Sequence, residues 1–226
     1  MTLEVRFLGR VDYAPTFATM KEFATRRPSG GREQLWICEH LPVFTLGLAG
    51  RPEHLLAPGD IPVVPTDRGG QVTYHGPGQV VAYLLLDLRR RGYGVRELVR
   101  RIEQAVIGLL GDHGVAGARL AGAPGVYVRQ AAAKSPPAPL LQKGEEAGEL
   151  AKIAALGLRV KGGCTYHGLA LNVDMDLSPY RAINPCGYAG MAVTRLRDFV
   201  PEATPERVED ALARRLIEEI YGPAGI

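Results

Sequence analysis

The sequence contains little cysteine and no long apolar run. Among 226 residues there are three cysteines, an odd number, and none has a Cys-x-x-Cys spacing. A disulfide framework and a four-ligand zinc site are therefore disfavoured. No run of about eighteen apolar residues and no basic-then-apolar leader is present, so we expect neither membrane insertion nor export. A reducing cytoplasm is the expected compartment.

Lysine is also scarce. Of the 27 basic residues only five are lysines, and the formal net charge is +3. The arginines are scattered and are not interleaved with aromatic residues, which disfavours a nucleic-acid binder. A mildly basic surface suits an acidic protein partner instead. Because lysines are few, a lysine inside an apolar stretch is informative.

The hydrophobic pattern predicts an α+β fold. Apolar runs bounded by Gly or Pro predict strands at 3–8, 33–38, 63–64, 72–74 and 80–86. Three-and-four spacing predicts helices at 17–24 and at 95–110, the latter with Arg and Glu on the solvent face. An N-cap at Thr204 followed by Pro205 and Glu206 predicts a last helix that ends at Gly222. Without regular βαβ alternation, we expect one domain over residues 1–226, with a mixed or antiparallel sheet flanked by helices. The Pro-rich residues 130–149 predict a flexible surface insertion.

The tetrapeptide Thr-Tyr-His-Gly occurs twice, at 73–76 and at 165–168, each time shortly after a Gly-Gly pair. Glycines allow close approach of the backbone to a ligand, so we expect the two stretches to form opposite walls of one cleft. The alternative is two similar strand entries. Neither GxxxxGK[ST] nor GxGxxG is present, so nucleotide binding is weakly supported.

Cys186 lies between Pro185 and Gly187, a combination that favours a sharp turn exposing a side chain. The alternative is an inert core cysteine, which Cys38 in its apolar strand fits well, while Cys164 fits either description.

A cysteine nucleophile reacts as the thiolate and needs a neighbouring cation or base. Lys152, His75 and His167 are the candidates. Lys152 opens the apolar stretch 153–160, where a buried ammonium is costly without a paired anion.

Four motifs in order, RGGQVTYHGPGQ, KIAALGLRV, TYHGLALNVDMDL and INPCG, resemble those of the octanoyl-[acyl carrier protein]:protein N-octanoyltransferases, also called lipoate–protein ligase B. The resemblance implies the α+β catalytic domain shared by biotin and lipoate ligases. It also implies an acyltransferase that moves octanoyl from acyl carrier protein to a lysine of lipoyl domains. Those domains belong to 2-oxoacid dehydrogenase complexes and to the glycine cleavage H protein, and the transfer begins lipoate assembly without cofactor, ATP or metal.

The resemblance also implies the site. Cys186 corresponds to the acyl-thioester nucleophile and Lys152 to the residue that lowers its pKa and relays protons. We expect N–H groups near Gly168 or Gly187 to stabilise the oxyanion, and Lys152 or His75 to accept the proton of the incoming lysine. The substrate-binding residues it implies are Arg68, Gly69, Gly70, Gln71, Val72, Thr73, Tyr74, His75, Ala155, Leu156, Gly157, Gly168, Leu169 and Ala170.

Two alternatives stay open. An ATP-dependent lipoate or biotin ligase on the same fold would activate a free acid and would not need Cys186. A non-enzymatic module would hold a structural metal such as zinc through His75, His167 and Cys186.

Overall fold

Within residues 3–26, 31–129, 140–141, 150–187 and 190–222, the computed structural model has eleven β-strands and three α-helices; the side chains of 140, 141 and 186 lie outside the described part. The strands are β1 Leu3–Val11, β2 Glu33–His40, β3 Val43–Leu46, β4 Val63–Pro65, β5 Val72–His75, β6 Gln79–Leu85, β7 Gly117–Leu120, β8 Ala123–Arg129, β9 Leu140–Leu141, β10 Leu150–Lys161 and β11 Cys164–Asn172. The helices are α1 Tyr13–Arg26, α2 Val95–Asp112 and α3 Pro205–Tyr221. Of the helices in these residues, none has the length and apolar character that crossing a bilayer requires.

The strands form two sheets. The large sheet has the order β1-β2-β6-β11-β10-β8-β7-β9, and the small sheet has the order β4-β3-β5. Most neighbours in the large sheet are antiparallel, whereas β1 with β2 and β7 with β9 are parallel. β10 and β11 form a hairpin through Gly162–Gly163. The expected α+β class with a mixed sheet is confirmed.

Both faces of the large sheet are covered by helices. Along β6, Ala82 and Leu84 join the core under α2 and α3, while Val81, Tyr83 and Leu85 pack on the α1 side. Alternation of side chains across a strand therefore explains why β6 is apolar without interruption. From Leu98 to Leu110 the apolar stripe of α2 is confirmed as its buried face, whereas Val95 at its start is exposed.

Two expectations are affected by the structure: the position of Glu103 on α2 and the insertion at 130–149. Glu103 was expected on the solvent face of α2, but its side chain is buried, because it reaches toward the backbone of β8. Within the expected insertion, Leu140–Leu141 form β9 beside β7. The remainder of 130–149 lies outside the described residues.

Gly168 of β11 has no room for a side chain beside its neighbour β6. A Cβ atom added at Gly168 would collide with the carbonyl oxygen of Ala82 and lie 2.7 Å from a methyl carbon of Leu84. Because Ala82 belongs to the central strand ladder, the backbone has little room to shift. Gly111 in α2 is the opposite case, since a Cβ there meets nothing within 4 Å.

We expect Gly168→Ala to lower the free energy of unfolding by about 2–4 kcal/mol, because the added methyl overpacks a buried ladder. Gly111→Ala is the matched control and should be neutral or stabilising by up to about 1 kcal/mol. Urea unfolding of both variants measures the difference. Equal stability of the two would contradict the packing described for β11.

Candidate active site

A narrow cavity lies between β5 of the small sheet and the α1 side of the large sheet. The volume of the cavity is about 60 Å³. The cavity is lined by Tyr13, Arg68, Gly70, Gln71, Val72, Thr73, His75, Val81, Tyr83, Ala155, Leu156, Gly157, His167, Gly168, Leu169 and Ala170. Both Thr-Tyr-His-Gly stretches therefore contribute to the wall of one cavity, as expected.

The three sequence stretches expected to bind substrate meet at this cavity. Of the residues expected there, only Gly69 and Tyr74 are missing from its lining. The N–H of Gly69 donates to the carbonyl of Leu158 at 3.0 Å, and the Tyr74 ring packs against Phe44 and Tyr180 in the core of the small sheet. These two residues do not face the cavity but bind or pack against the residues around it.

Arg68 braces the cavity wall. Its guanidinium is largely buried and donates to Thr45 Oγ1 at 2.9 Å, to the Thr45 carbonyl at 2.7 Å and to the Gln71 carbonyl at 2.7 Å. Hydrogen bonds from a charged donor to backbone acceptors are among the stronger ones. Arg68 therefore joins β3 to the start of β5.

His75 is part of a chain of buried hydrogen bonds. Its Nε2 lies 3.3 Å from Thr45 Oγ1 and its Nδ1 lies 2.7 Å from Gln79 Oε1. Gln79 Nε2 donates to Asn172 Oδ1 at 2.9 Å, and Asn172 Nδ2 donates to the Thr194 carbonyl at 2.9 Å. Because Gln79 Oε1 can only accept, Nδ1 carries the hydrogen of His75, and Nε2 accepts from the Thr45 hydroxyl.

Burial, together with the nearby His40 and Arg68, lowers the pKa of His75 to about 3. The imidazole is therefore neutral at pH 7, and its Nε2 lone pair is already in use. Both features make His75 a weak base for an incoming amine.

His167 lies on the opposite wall in an unusual backbone conformation, with a φ of 61°. Its Nε2 is 3.0 Å from Asp67 Oδ1. Burial lowers the pKa of His167 to about 4, although Asp67 opposes the shift, so the neutral ring donates its Nε2–H to that carboxylate. Its Nδ1 is buried without a hydrogen-bond partner among the described residues.

Lys152 is held at the start of β10. Its side chain is largely buried, Nζ donates to the Pro124 carbonyl at 3.1 Å, and it lies 5.1 Å from the centre of the Tyr127 ring. The Lys152 N–H donates to the Ala192 carbonyl at 2.8 Å, and the Thr194 N–H donates to the Lys152 carbonyl at 3.0 Å. The chain that follows Cys186 therefore returns to pair with Lys152.

The backbone of Cys186 lies in a 3-10 turn, Pro185–Gly187, that packs beside β5. The N–H of Asn184 donates to the His54 carbonyl at 2.8 Å. A Cβ added at Gly187 would lie 3.4 Å from Gln71 Cγ, which places the turn beside the cavity wall. The turn expected at Cys186 is present, whereas the contact of its side chain with Lys152 falls outside the described part of the chain.

The oxyanion donors expected near Gly168 or Gly187 stay a prediction, but the expectation of a turn at Gly168 is wrong. Gly168 lies inside strand β11 and forms no turn. The Gly187 N–H already donates to the Asn184 carbonyl at 3.0 Å, which closes the turn.

Several residues of the site were missed by sequence reasoning. Tyr13 and Tyr83 line the cavity, with the Tyr13 ring stacked 5.8 Å from His75, but neither belongs to a repeated motif. Gly125 lies against the Lys152 side chain, and Glu103 accepts a hydrogen bond from the Gly125 N–H. The sequence signal that could have indicated Glu103 is its position directly after Ile102, beside the apolar stripe of α2.

Cys38 has the inert character expected of it, since burial raises the pKa of its thiol. For the metal alternative, both nitrogens of His75 are engaged in hydrogen bonds. In the ranges that the structure describes, the His, Cys, Asp and Glu side chains form no group of three or more suited to a metal.

The architecture defines the class of protein first. Lipoate-protein ligase A bound with ATP has the same fold, with a TM-score of 0.72 at 18% identity over 98% of this chain and 86% of that one. The biotin protein ligase of Aquifex aeolicus matches with a TM-score of 0.55 at 12% identity, over 98% of this chain and 70% of that one. The fold is that of lipoate and biotin protein ligases.

The sequence comparisons then give the family. The model of the lipoyl protein ligase A/B catalytic domain matches residues 12–217, and the chain belongs to this family. The octanoyltransferase of Thiobacillus denitrificans is 59% identical over 97% of this chain and 92% of its own length. The octanoyltransferase of Dechloromonas aromatica is 52% identical over 96% of each chain.

Buried His75 should make stability depend on pH. Its folded pKa of about 3 lies below the unfolded value, so its contribution is complete above about pH 6.5 and is lost as pH falls toward 3. We expect His75→Gln to reduce the loss of unfolding free energy between about pH 7 and about pH 4.5 by on the order of 2–3 kcal/mol. Urea unfolding at both pH values measures it.

His113→Gln, at an exposed position just after α2, is measured in parallel as the control for replacing a histidine by glutamine. A His75→Gln variant with the pH dependence of the parent chain would contradict the neutral, buried state of His75.

Proposed function

We propose that this chain transfers an octanoyl group from octanoyl-acyl carrier protein to a lysine of lipoyl domains, through a thioester on Cys186. The observation that carries the proposal is the anchoring of the Cys186 loop. Before Cys186 the loop is bound to His54 beside the cavity, and after Cys186 it is bound to the backbone of Lys152. The relatives named octanoyltransferase at 52% and 59% identity support the same reaction.

In the first half of the reaction, the thiol of Cys186 gives its proton to Lys152 and the thiolate attacks the carbonyl carbon of the octanoyl thioester. The tetrahedral intermediate collapses, the carbon–sulfur bond to the carrier breaks, and the carrier thiolate takes a proton from the Lys152 ammonium. The octanoyl group is then bound to Cys186.

In the second half, the neutral amine of the target lysine attacks the thioester on Cys186. Its excess proton passes to Lys152, the amide forms and the Cys186 thiolate leaves. We assign this proton to Lys152 and not to His75, because His75 Nε2 already accepts a hydrogen bond and burial lowers the pKa of His75 to about 3.

The cavity suits a saturated acyl chain. Its wall includes Val72, Val81, Leu156 and Leu169, which offer carbon surfaces and few hydrogen-bonding groups. Each methylene buried there contributes roughly 0.8 kcal/mol. Selection among chain lengths should therefore be graded.

The partners of the proposed reaction are octanoyl-acyl carrier protein and the lipoyl domains of 2-oxoacid dehydrogenase complexes and of the glycine cleavage H protein. The formal net charge of +3 supports association with an acidic carrier. We assign the reaction to the cytoplasm, where thiols stay reduced.

Incubation with octanoyl carrier protein, without nucleotide, should increase the intact mass of the chain by one octanoyl group. Cys186→Ser should abolish the increase, because the oxygen nucleophile is far less ionised at neutral pH. Cys164→Ala, which removes another cysteine, is the matched control and should keep it. No mass increase in the absence of nucleotide would contradict the covalent mechanism, and one that survives Cys186→Ser would remove Cys186 from its role.

Replacing Lys152 by Ala should raise the pKa of Cys186 by about 1–3 units, because a cation next to a thiol favours the thiolate. The rate of Cys186 alkylation against pH, followed by peptide mass, measures the change. Lys161 lies exposed at the far end of the same strand, and Lys161→Ala is the control that should not shift the profile. An unshifted Lys152→Ala profile would exclude Lys152 as the activating residue.

A further inference from the structure

Glu103 is a buried acid on the helix that packs behind Lys152. It lies on α2, next to Ile102 of the apolar stripe, and its side chain is largely withdrawn from solvent. A buried carboxylate is costly unless it is paired and hydrogen-bonded. Its partners therefore indicate why an acid occupies this position.

Each carboxylate oxygen of Glu103 has a described partner. Oε2 accepts from Arg119 Nε at 3.1 Å, and Oε1 accepts from the Gly125 N–H at 3.0 Å. Arg119 is itself held by the side chain of Gln104 at 2.8 Å and by the Arg100 carbonyl at 3.1 Å. The carboxylate is thereby fixed against the first residues of β8.

The Gly125 N–H belongs to the same peptide group as the Pro124 carbonyl. That carbonyl accepts a hydrogen bond from Lys152 Nζ at 3.1 Å. Glu103 and Lys152 are thus bound to opposite ends of one planar peptide group. A carboxylate on its N–H side strengthens the carbonyl as an acceptor and fixes its direction.

The glycine in this peptide group is required by the lysine. Gly125 has a φ of 143°, which L side chains rarely adopt. A Cβ added there would lie 2.6 Å from Lys152 Cε and 3.1 Å from Lys152 Nζ. The backbone of β8 therefore lies so close to the Lys152 side chain that only glycine fits at position 125.

We propose that Glu103 is the positioning residue for Lys152, acting through the Pro124–Gly125 peptide group; the inference rests on the proposed role of Lys152 toward Cys186. Glu103 touches neither substrate nor Cys186 in this scheme. Its negative charge favours the ammonium form of Lys152, and its hydrogen bond fixes the carbonyl to which that ammonium is bound. Both effects stabilise a neighbouring thiolate.

The test is a double-mutant cycle read by Cys186 alkylation against pH, with peptide mass to isolate that cysteine. Glu103→Ala should shift the profile of the folded protein upward by about one pH unit and lower kcat about tenfold, with KM changed less than about twofold. Glu103→Gln keeps an acceptor for the Gly125 N–H and should recover most of the activity. Glu97→Gln, on the solvent side of the same helix, is the control.

In the background of Lys152→Ala, Glu103→Ala should add no further shift, because Glu103 acts only through that lysine. A full additional shift would overturn the proposal, as would an unshifted profile for Glu103→Ala alone. If Glu103→Ala does not fold, Glu103→Asp draws the carboxylate back from the Gly125 N–H while keeping its charge, and it takes the same place in the cycle. An unshifted profile for Lys152→Ala would instead refute the proposed role of Lys152.

Discussion

The pairing of strand β10 at Lys152 is the constraint on which the site depends. β10 is paired with β8 from Leu150 to Ala155 and with β11 from Ala154 to Lys161. At Lys152 the β11 side would be unpaired, and the returning chain at Ala192 and Thr194 fills it. Because buried N–H and carbonyl groups must find partners, the loop that carries Cys186 is fixed to the strand that carries Lys152. Main-chain hydrogen bonds thus bring two distant parts of the sequence to one place.

An irregularity in the same strand sets the direction of the lysine side chain. The register between β8 and β10 shifts between Lys152 and Ala154. Ile153 enters the core under α2 and α3, while the Lys152 ammonium is turned to the Pro124 carbonyl and the Tyr127 ring. A bulge of this kind re-aims a side chain without ending the strand, so a charged group sits beside an apolar core at a defined acceptor.

A buried polar chain joins the cavity wall to this strand. It runs from Arg68 through Thr45, His75, Gln79 and Asn172 to the Thr194 carbonyl. Thr194 is also bound through its N–H to the Lys152 carbonyl. In a low-dielectric interior such bonds reinforce one another, and a missing member leaves a costly unpaired group. Arg68 and His75 therefore hold the wall in place as well as lining it.

Much of the fold follows from local patterns. The uninterrupted apolar run of β6 and the three-and-four spacing of α2 were sufficient to predict a sheet covered by helices. The repeated Thr-Tyr-His-Gly correctly indicated one cleft. The turn at Pro185–Gly187 was also predictable, since Pro and Gly restrict and release the backbone locally. The solvent-exposed placement expected for Glu103 was wrong. The residues around it in the sequence do not show that its carboxylate binds Arg119 and Gly125, which are distant along the chain.

The sequence by itself determined the element types, the cleft-forming repeat and, through ordered motifs, the family with its two candidate residues Lys152 and Cys186. Only the tertiary structure decided which groups meet. Glu103 and Gly125 are 22 residues apart, Pro124 and Lys152 are 28 apart, and Gln79 and Asn172 are 93 apart. Periodicity and turn chemistry describe neighbours along the chain, whereas these contacts depend on sheet register and on how α2 packs against β8, which no local pattern encodes.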